Sequence, residues 1–455
     1  MKIIIIGAGS AMFTIGVVSD LITTGLATEL GLVDIDPSAL ETAHKLVQKM
    51  IAARKASIKL TATTDRRKVL KDATVVIATI GVGGRRAWEQ DVFIPRKYGI
   101  SMPVGDTAGP GGTARAMRMI PAMVAIARDV IELAPQALFF NYANPMAPVC
   151  YAVQQATGAP MVGLCIGTHH TALYLAGVLG VRLSDLSYNV AGINHLTWFS
   201  EVYVRGQDAM PQLKEYAQQV VRNTSTAVEL AQKGSAELPH SGSPFDSSFK
   251  EPFSWQCLQW FEAFPSPGDR HITEFFPQMF RDGRYYGKTL GVDEFSFEKT
   301  IAVGDQIFAE MSADAFSPDP LTEAYFSKHG GEQEQVVEII QAIRDNKPKN
   351  FFVNLPNTGQ APNLPMKHVI ETPAVTNGHG IHAIQQKPIP AAAAGALASR
   401  FAWVEVVTQA ALESSRDKFI QALILDGAVN APDVAVHLAD DLIAAHQEYL
   451  PWMKA

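Results

Sequence analysis

The sequence predicts an α/β chain whose amino-terminal half is an open parallel sheet and whose second half is α+β. Three observations carry this. Lys2–Ile6 is a continuous β-branched run, as in a strand buried on both faces, and it leads straight into Gly7-Ala8-Gly9-Ser10. Leu138-Phe139-Phe140 and Met161-Val162-Gly163-Leu164 are further apolar runs that end in polar residues, Asn141-Tyr142-Ala143-Asn144 and Cys165. Parallel strands that deliver polar groups at their carboxyl ends are how open α/β sheets build sites. At 455 residues the chain exceeds one typical core, so two domains are expected, residues 1–165 and 166–455.

The elements follow in order. After the glycine turn, Ala11 to Thr24 reads as a helix with Gly25 as its stop. Leu30-Gly31-Leu32-Val33 is a second strand ending in Asp34-Ile35-Asp36. Strand, glycine turn, helix, strand and acid in this order is the Rossmann fingerprint for a dinucleotide. Gly7, Gly9 and Ser10 would meet the pyrophosphate, and Asp34 the adenosine ribose, which favours NAD over NADP. Asp36 is better placed to cap the next helix. One departure is Met12 at the third glycine position, which predicts looser or differently angled helix packing.

Thr74 to Ile80 reads as another buried strand, ending in Gly81-Val82-Gly83-Gly84-Arg85-Arg86. Gly81 and Gly83 would allow close approach of the cofactor. Arg85 and Arg86 either clamp a hydroxyl or an anion, or form a solvated basic loop. Gly105 to Gly112 is a second glycine loop, leading into a helix from Thr113 to Leu133 and suggesting an ordered flap over the site. Past residue 195 the chain turns polar and helical, with an irregular stretch at 238–244. Pro265-Ser266-Pro267-Gly268 then breaks it before Asp269. Phe351 to Asn354 and Val369 to Thr372 read as strands. Alanine-rich helices from Ala391 to Gln447 suit a core or a subunit interface. No flexible linker is visible, so the second half should continue the first sheet.

Composition narrows the function. Apolar residues at 47% and charged residues at 18% suit a compact soluble enzyme. A net charge of -7 argues against nucleic-acid and anionic-membrane partners. Cys150, Cys165 and Cys257 are too few for a disulfide framework and fit a reducing cytoplasm. The opening apolar run stops at Gly7, too short for a signal peptide, and no run has the length of a membrane span. Cys165 as thiolate and His195 as neutral imidazole could share one divalent metal. The plainer alternative is an inert core cysteine and a satisfied interior histidine.

Taken together, Gly7-Ala8-Gly9-Ser10, the Gly105-to-Gly112 loop, Asn144-Pro145-Met146, Gly163-Leu164-Cys165, Gly192-Ile193-Asn194-His195 and Gly268-Asp269-Arg270-His271 resemble glycoside hydrolase family 4. The likeness extends to Asn354-Leu355-Pro356-Asn357-Thr358-Gly359 and Asn363-Leu364-Pro365, nearly the whole chain. The resemblance implies NAD, usually Mn²⁺, and a fold related to lactate and malate dehydrogenases. It implies glycoside cleavage outside the two-carboxylate scheme: oxidation at sugar C3, loss of the C2 proton, elimination of the aglycone, addition of water and re-reduction. Cys165 and His195 would hold the metal, Asn144 would contact cofactor and sugar, and Asp269 would be the C2 base. Arg270, His271 and Glu274 would line the same wall.

The family cysteine is usually followed by His or Asp, and here Ile166 follows it. His169 or His170 would then protonate the leaving group, or the acid comes from elsewhere. The substrate expected is a small α-glucoside or galactoside, a uronide or a sulfoquinovoside, and the assembly a homo-dimer or homo-tetramer. Two other functions fit parts of the pattern: an NAD-dependent dehydrogenase of a sugar or hydroxy acid, and a non-catalytic NAD sensor.

Overall fold

The computed structural model describes residues 1–234, 250–329 and 335–453, so the stretch at 238–244 lies outside the described residues. Strands β1 (Lys2–Ile6), β2 (Glu29–Val33), β3 (Lys59–Thr63), β4 (Val75–Ala78), β5 (Leu138–Asn141) and β6 (Met161–Gly163) are parallel, in the order β3-β2-β1-β4-β5-β6. That is the dinucleotide-binding order. β1 is enclosed between β2 and β4, and Ile3 and Ile4 are fully buried, as the unbroken β-branched run predicts.

The sheet continues beyond β6. Strands β7 (Leu186–Ile193), β8 (Leu196–Val204), β9 (Phe264–Ser266), β10 (Lys349–Pro356) and β11 (Val369–Asn377) extend it in the order β6-β10-β11-β7-β8-β9, antiparallel throughout. The two halves meet at the pair Asn354↔Gly163. One sheet therefore crosses residues 165 and 166 without a break.

Several boundaries differ from expectation. The first helix is Thr14–Thr24, because the chain turns back before it and the Thr14 hydroxyl donates to the Ala8 carbonyl at 2.8 Å. Met12 lies in that turn, 59% exposed, so the missing third glycine leaves the packing of Ile15 and Val18 intact. The helix expected from Thr113 begins at Gly109, whose N–H donates to Asp426 at 2.9 Å. Arg85 and Arg86 are in the first turn of helix Gly84–Lys97 and not in a loop.

Helices Ala391–Glu413, Arg416–Asp426 and Pro432–Ala445 pack on the chain's own core, where Leu397, Phe401 and Val404 join Met117 and Ile120. No helix among the described residues is long and apolar enough to cross a membrane.

A buried ion pair ties this cover down. Arg118 donates to both oxygens of Asp91 at 2.8 and 2.7 Å, and His446 Nε2 meets the same carboxylate at 2.8 Å. Burial opposes charge on Asp91, but Arg118 and His446 outweigh it and hold the group below its usual value of 3.8. Its stabilising contribution is thus full above pH 3.8 and lost as pH falls through the lower folded value. Asp91→Asn leaves Arg118 buried with half a partner, and urea titration at neutral pH should show a loss of about 3–5 kcal/mol. The gap to wild type should close in acid, and a neutral-pH loss below about 1 kcal/mol would contradict this account.

Candidate active site

The carboxyl ends of the parallel strands carry two adjoining arrangements. At the end of β1, Gly7 has φ 93°, and an added Cβ would lie 2.8 Å from the Thr79 and Ile80 backbone. Only glycine fits such a left-handed, crowded position. Gly9 donates to Asp34 Oδ2 at 2.8 Å, and a Cβ there would sit 2.6 Å from Ala39 Cβ. Asp34 Oδ1 accepts from Asp36 N at 3.0 Å, while Asp36 caps the following helix through Ser38 N at 2.8 Å. Ser10 closes the turn on Gly7. The result is a glycine cradle at a helix amino terminus, beside the partly buried Asp34 carboxylate.

The second arrangement joins residues remote in sequence. Asp106, His195 and His271 place donor atoms within 4.8 Å of one another. The His195 Nε2 atom is 3.6 Å from Cys165 Sγ, and its ring centroid lies 4.2 Å from that of His271. Thr107 Oγ1 donates to Asp106 at 2.7 Å and lies 3.0 Å from His195 Nδ1. A hydroxyl has one proton, so Thr107 must accept from His195 Nδ1–H. This fixes the tautomer, and His195 Nε2 turns its lone pair toward Cys165. Asn144, after the turn that ends β5, donates to Asp106 Oδ2 at 2.9 Å.

The electrostatics match donor chemistry. Burial opposes the charge on Asp106, and Arg115 with hydrogen bonds from Thr107 and Asn144 works against that cost, so its carboxyl stays below the ordinary range. Burial pushes His195 and His271 down, and Arg270 adds to this in both. An ionised carboxylate thus faces two neutral imidazoles and a thiol, a hard-and-borderline set that suits a first-row divalent cation. His271 Nδ1 is buried without a hydrogen-bond partner among the described residues, as a ligand atom would be. The residues fit the group. The candidate ligand set is therefore broader than the expected pair of Cys165 and His195. The signal for Asp106 lay in the glycine loop, an acid beside Gly105, but nothing local tied it to His195.

Other expected residues fall elsewhere. Asp269 is fully buried, and its oxygens accept from Phe253 N at 2.8 Å, Ser254 N at 2.7 Å, Ser254 Oγ at 2.6 Å and Tyr285 Oη at 2.7 Å. These bonds hold the carboxyl at the start of helix Pro252–Phe261, and burial raises it above the usual carboxylate range in spite of them. Arg85 pairs with Asp305 at 2.5 Å. Gly83 packs against Ala87 and the Tyr449 ring, so its lack of a side chain serves the fold; Gly81 faces Arg115.

Glu274 accepts from Val104 N at 2.7 Å and Gly105 N at 2.8 Å, pinning the loop that carries Asp106. Burial pushes Glu274 up to about 8, Asp106 adds to this, and the two N–H bonds and Arg270 oppose it. Arg270 is partly buried near Asp106 and Glu274. His169 is half-buried with Glu338 and Lys349 as its charged neighbours, and it does not join the cluster.

Comparison with known proteins agrees with this arrangement. The chain is 29% identical to an alpha-glucosidase of Erwinia rhapontici, covering 100% of this chain and 99% of that protein. The crystal structure of lplD from Bacillus subtilis superposes with a TM-score of 0.80 at 26% identity, over 97% of this chain and 99% of that one. A 6-phospho-alpha-glucosidase from gut microorganisms, solved with NAD and Mn²⁺, has a TM-score of 0.79 at 21% identity, over 100% and 99% of the chains. A malate dehydrogenase of Plasmodium falciparum shares the general fold, with a TM-score of 0.50 at 13% identity over 91% and 99%. The model of the family 4 glycosyl hydrolases matches residues 2–181, and that of their C-terminal domain matches residues 190–429. These matches cover both halves of the sheet and the cluster between them, and the chain belongs to the family 4 glycosyl hydrolases.

Proposed function

We propose that the chain cleaves a small glycoside with NAD and a divalent cation, Mn²⁺ being the best match. The observation that carries this reading is the cluster of Asp106, Cys165, His195 and His271 beside the glycine cradle, at the same end of the same sheet. When bound, NAD would supply hydride acceptance and return at sugar C3, and a divalent cation would draw charge from the neighbouring sugar oxygens.

The chain's own residues do the rest. Gly7, Gly9 and Ser10 bring backbone close to the pyrophosphate, and Asp34 accepts from the ribose hydroxyls with lone pairs that Gly9 and Asp36 do not fill. Asp106, Cys165, His195 and His271 hold the cation, with Thr107 fixing the histidine tautomer. Asn144 contacts the sugar hydroxyls from beside the cluster, and partly buried Arg270 balances the anionic charge that develops on the sugar.

Residues 1–165 form the dinucleotide half, and 166–455 complete the sugar side. The three free cysteines and the need for NAD support a cytoplasmic location. Exposed Leu412, Ile424 and Trp452 on the carboxyl-terminal cover support a homo-dimer or homo-tetramer. Substrates to test are nitrophenyl α-glucosides and galactosides, uronides and sulfoquinovosides.

Cofactor-stripped enzyme should lose its glycosidase activity and regain it with catalytic NAD, without NADH accumulating. Undiminished cleavage after stripping refutes the reading. Substrate deuterated at C2 should exchange its label with solvent during turnover, and retention of the label together with no isotope effect favours ordinary hydrolysis. Cys165→Ala and His271→Ala should each weaken Mn²⁺ binding about tenfold or more in calorimetry while NAD affinity stays near wild type. Asp34→Ala should do the reverse, and equal loss of both ligands would undo the division of roles.

A further inference from the structure

Glu371, on β11, is 1% exposed and pairs in register with Gly192, just short of His195. Thr197, just past His195, has its hydroxyl 2.7 Å from Glu371 Oε2 and 2.9 Å from the Ile193 carbonyl oxygen. A threonine hydroxyl carries one proton, and a carbonyl oxygen can only accept. For both contacts to be hydrogen bonds, that proton must go to the Ile193 carbonyl oxygen. The shorter contact is then a hydrogen bond only if the Glu371 carboxyl donates it. An ionised carboxylate would leave two acceptors competing for one proton.

The surroundings agree. Thr168, Asn354 and Asn194 also face this carboxyl and are uncharged; burial pushes it up to about 7. The Thr197, Thr168, Asn354 and Asn194 side chains oppose that shift without cancelling it, and Oε1 of Glu371 has no hydrogen-bond partner among the described residues.

The turn it supports is the one that presents His195. Ile193↔Leu196 closes a hairpin whose turn is Asn194-His195, with His195 at φ 67°. Side chains other than glycine's rarely adopt this conformation, and it persists only where neighbours over-determine it. The crossing is tight, since a Cβ on Gly192 would lie 2.3 Å from the Leu196 carbonyl oxygen. Thr197 ties the turn to its own start and to the neighbouring strand.

We infer that Glu371 is a positioning residue acting as a neutral acid, which through Thr197 fixes the turn that aims His195 Nε2 at the cation. The inference rests on the cation site proposed above. Calorimetry on the full chain with Mn²⁺ and, separately, NAD tests it, together with infrared difference spectra of wild type against Glu371→Gln. The Gln amide can donate to the same hydroxyl, so Glu371→Gln should keep Mn²⁺ affinity within about twofold, while Glu371→Leu and Thr197→Val lose about tenfold, with NAD affinity unchanged.

A protonated-carboxyl stretch should be present in wild type at neutral pH and absent from Glu371→Gln. Equal loss of Mn²⁺ affinity in the Gln and Leu variants overturns the proposal, as does unchanged affinity in both Leu and Val variants. A missing carboxyl band overturns it too. Failure of wild type itself to bind Mn²⁺ would refute the cation site instead, and the infrared band would still decide the state of Glu371.

Discussion

Everything at the active site depends on how the parallel half of the sheet joins the antiparallel half. The join is one strand pair, β6 with β10, through Gly163 and Asn354. A Cβ on Gly163 would lie 2.6 Å from Met146 Sδ and 2.9 Å from Asn354 Cβ, so a larger residue would push the strands apart. Neighbouring strands lie about 4.8 Å apart, and that spacing turns sequence distance into proximity. Cys165 leaves the sheet just past the join, while the hairpin carrying His195 hangs from the strand beside β11. A cation site built across the join has ligands from both halves without either half moving.

Burial then selects the charges. Within this region it drives Glu274 up to about 8 and Glu371 up to about 7, and it keeps His195 and His271 from protonating. Asp106 is held below the ordinary carboxylate range, with Arg115, Thr107 and Asn144 opposing the cost of its burial. A single carboxylate among neutral donors is oriented before any ligand arrives. Preorganised groups of this kind need little rearrangement as charge develops, which is where enclosed sites gain most. The same logic separates two nearby acids by role: Glu274 holds the Gly105 loop from beneath, and Asp106 on that loop meets the histidines.

The sequence by itself determined the elements and their order. β-Branched continuity marked β1, the glycine cradle and Asp34 followed from spacing along one strand-turn-helix unit, and Gly25 and Asp36 ended and began helices where their chemistry allows. These features are local, so a linear reading reaches them. The tertiary structure alone decided which groups each acid meets. Asp269 stands in a motif beside His271, yet its oxygens are taken up by Phe253, Ser254 and Tyr285. Asp106, unassigned by pattern, reaches His195 through Thr107, which lies 88 positions before it in sequence. Hydrogen bonds of that reach leave no periodicity behind, because they are made only when separate strands are brought side by side by the packing of the whole sheet.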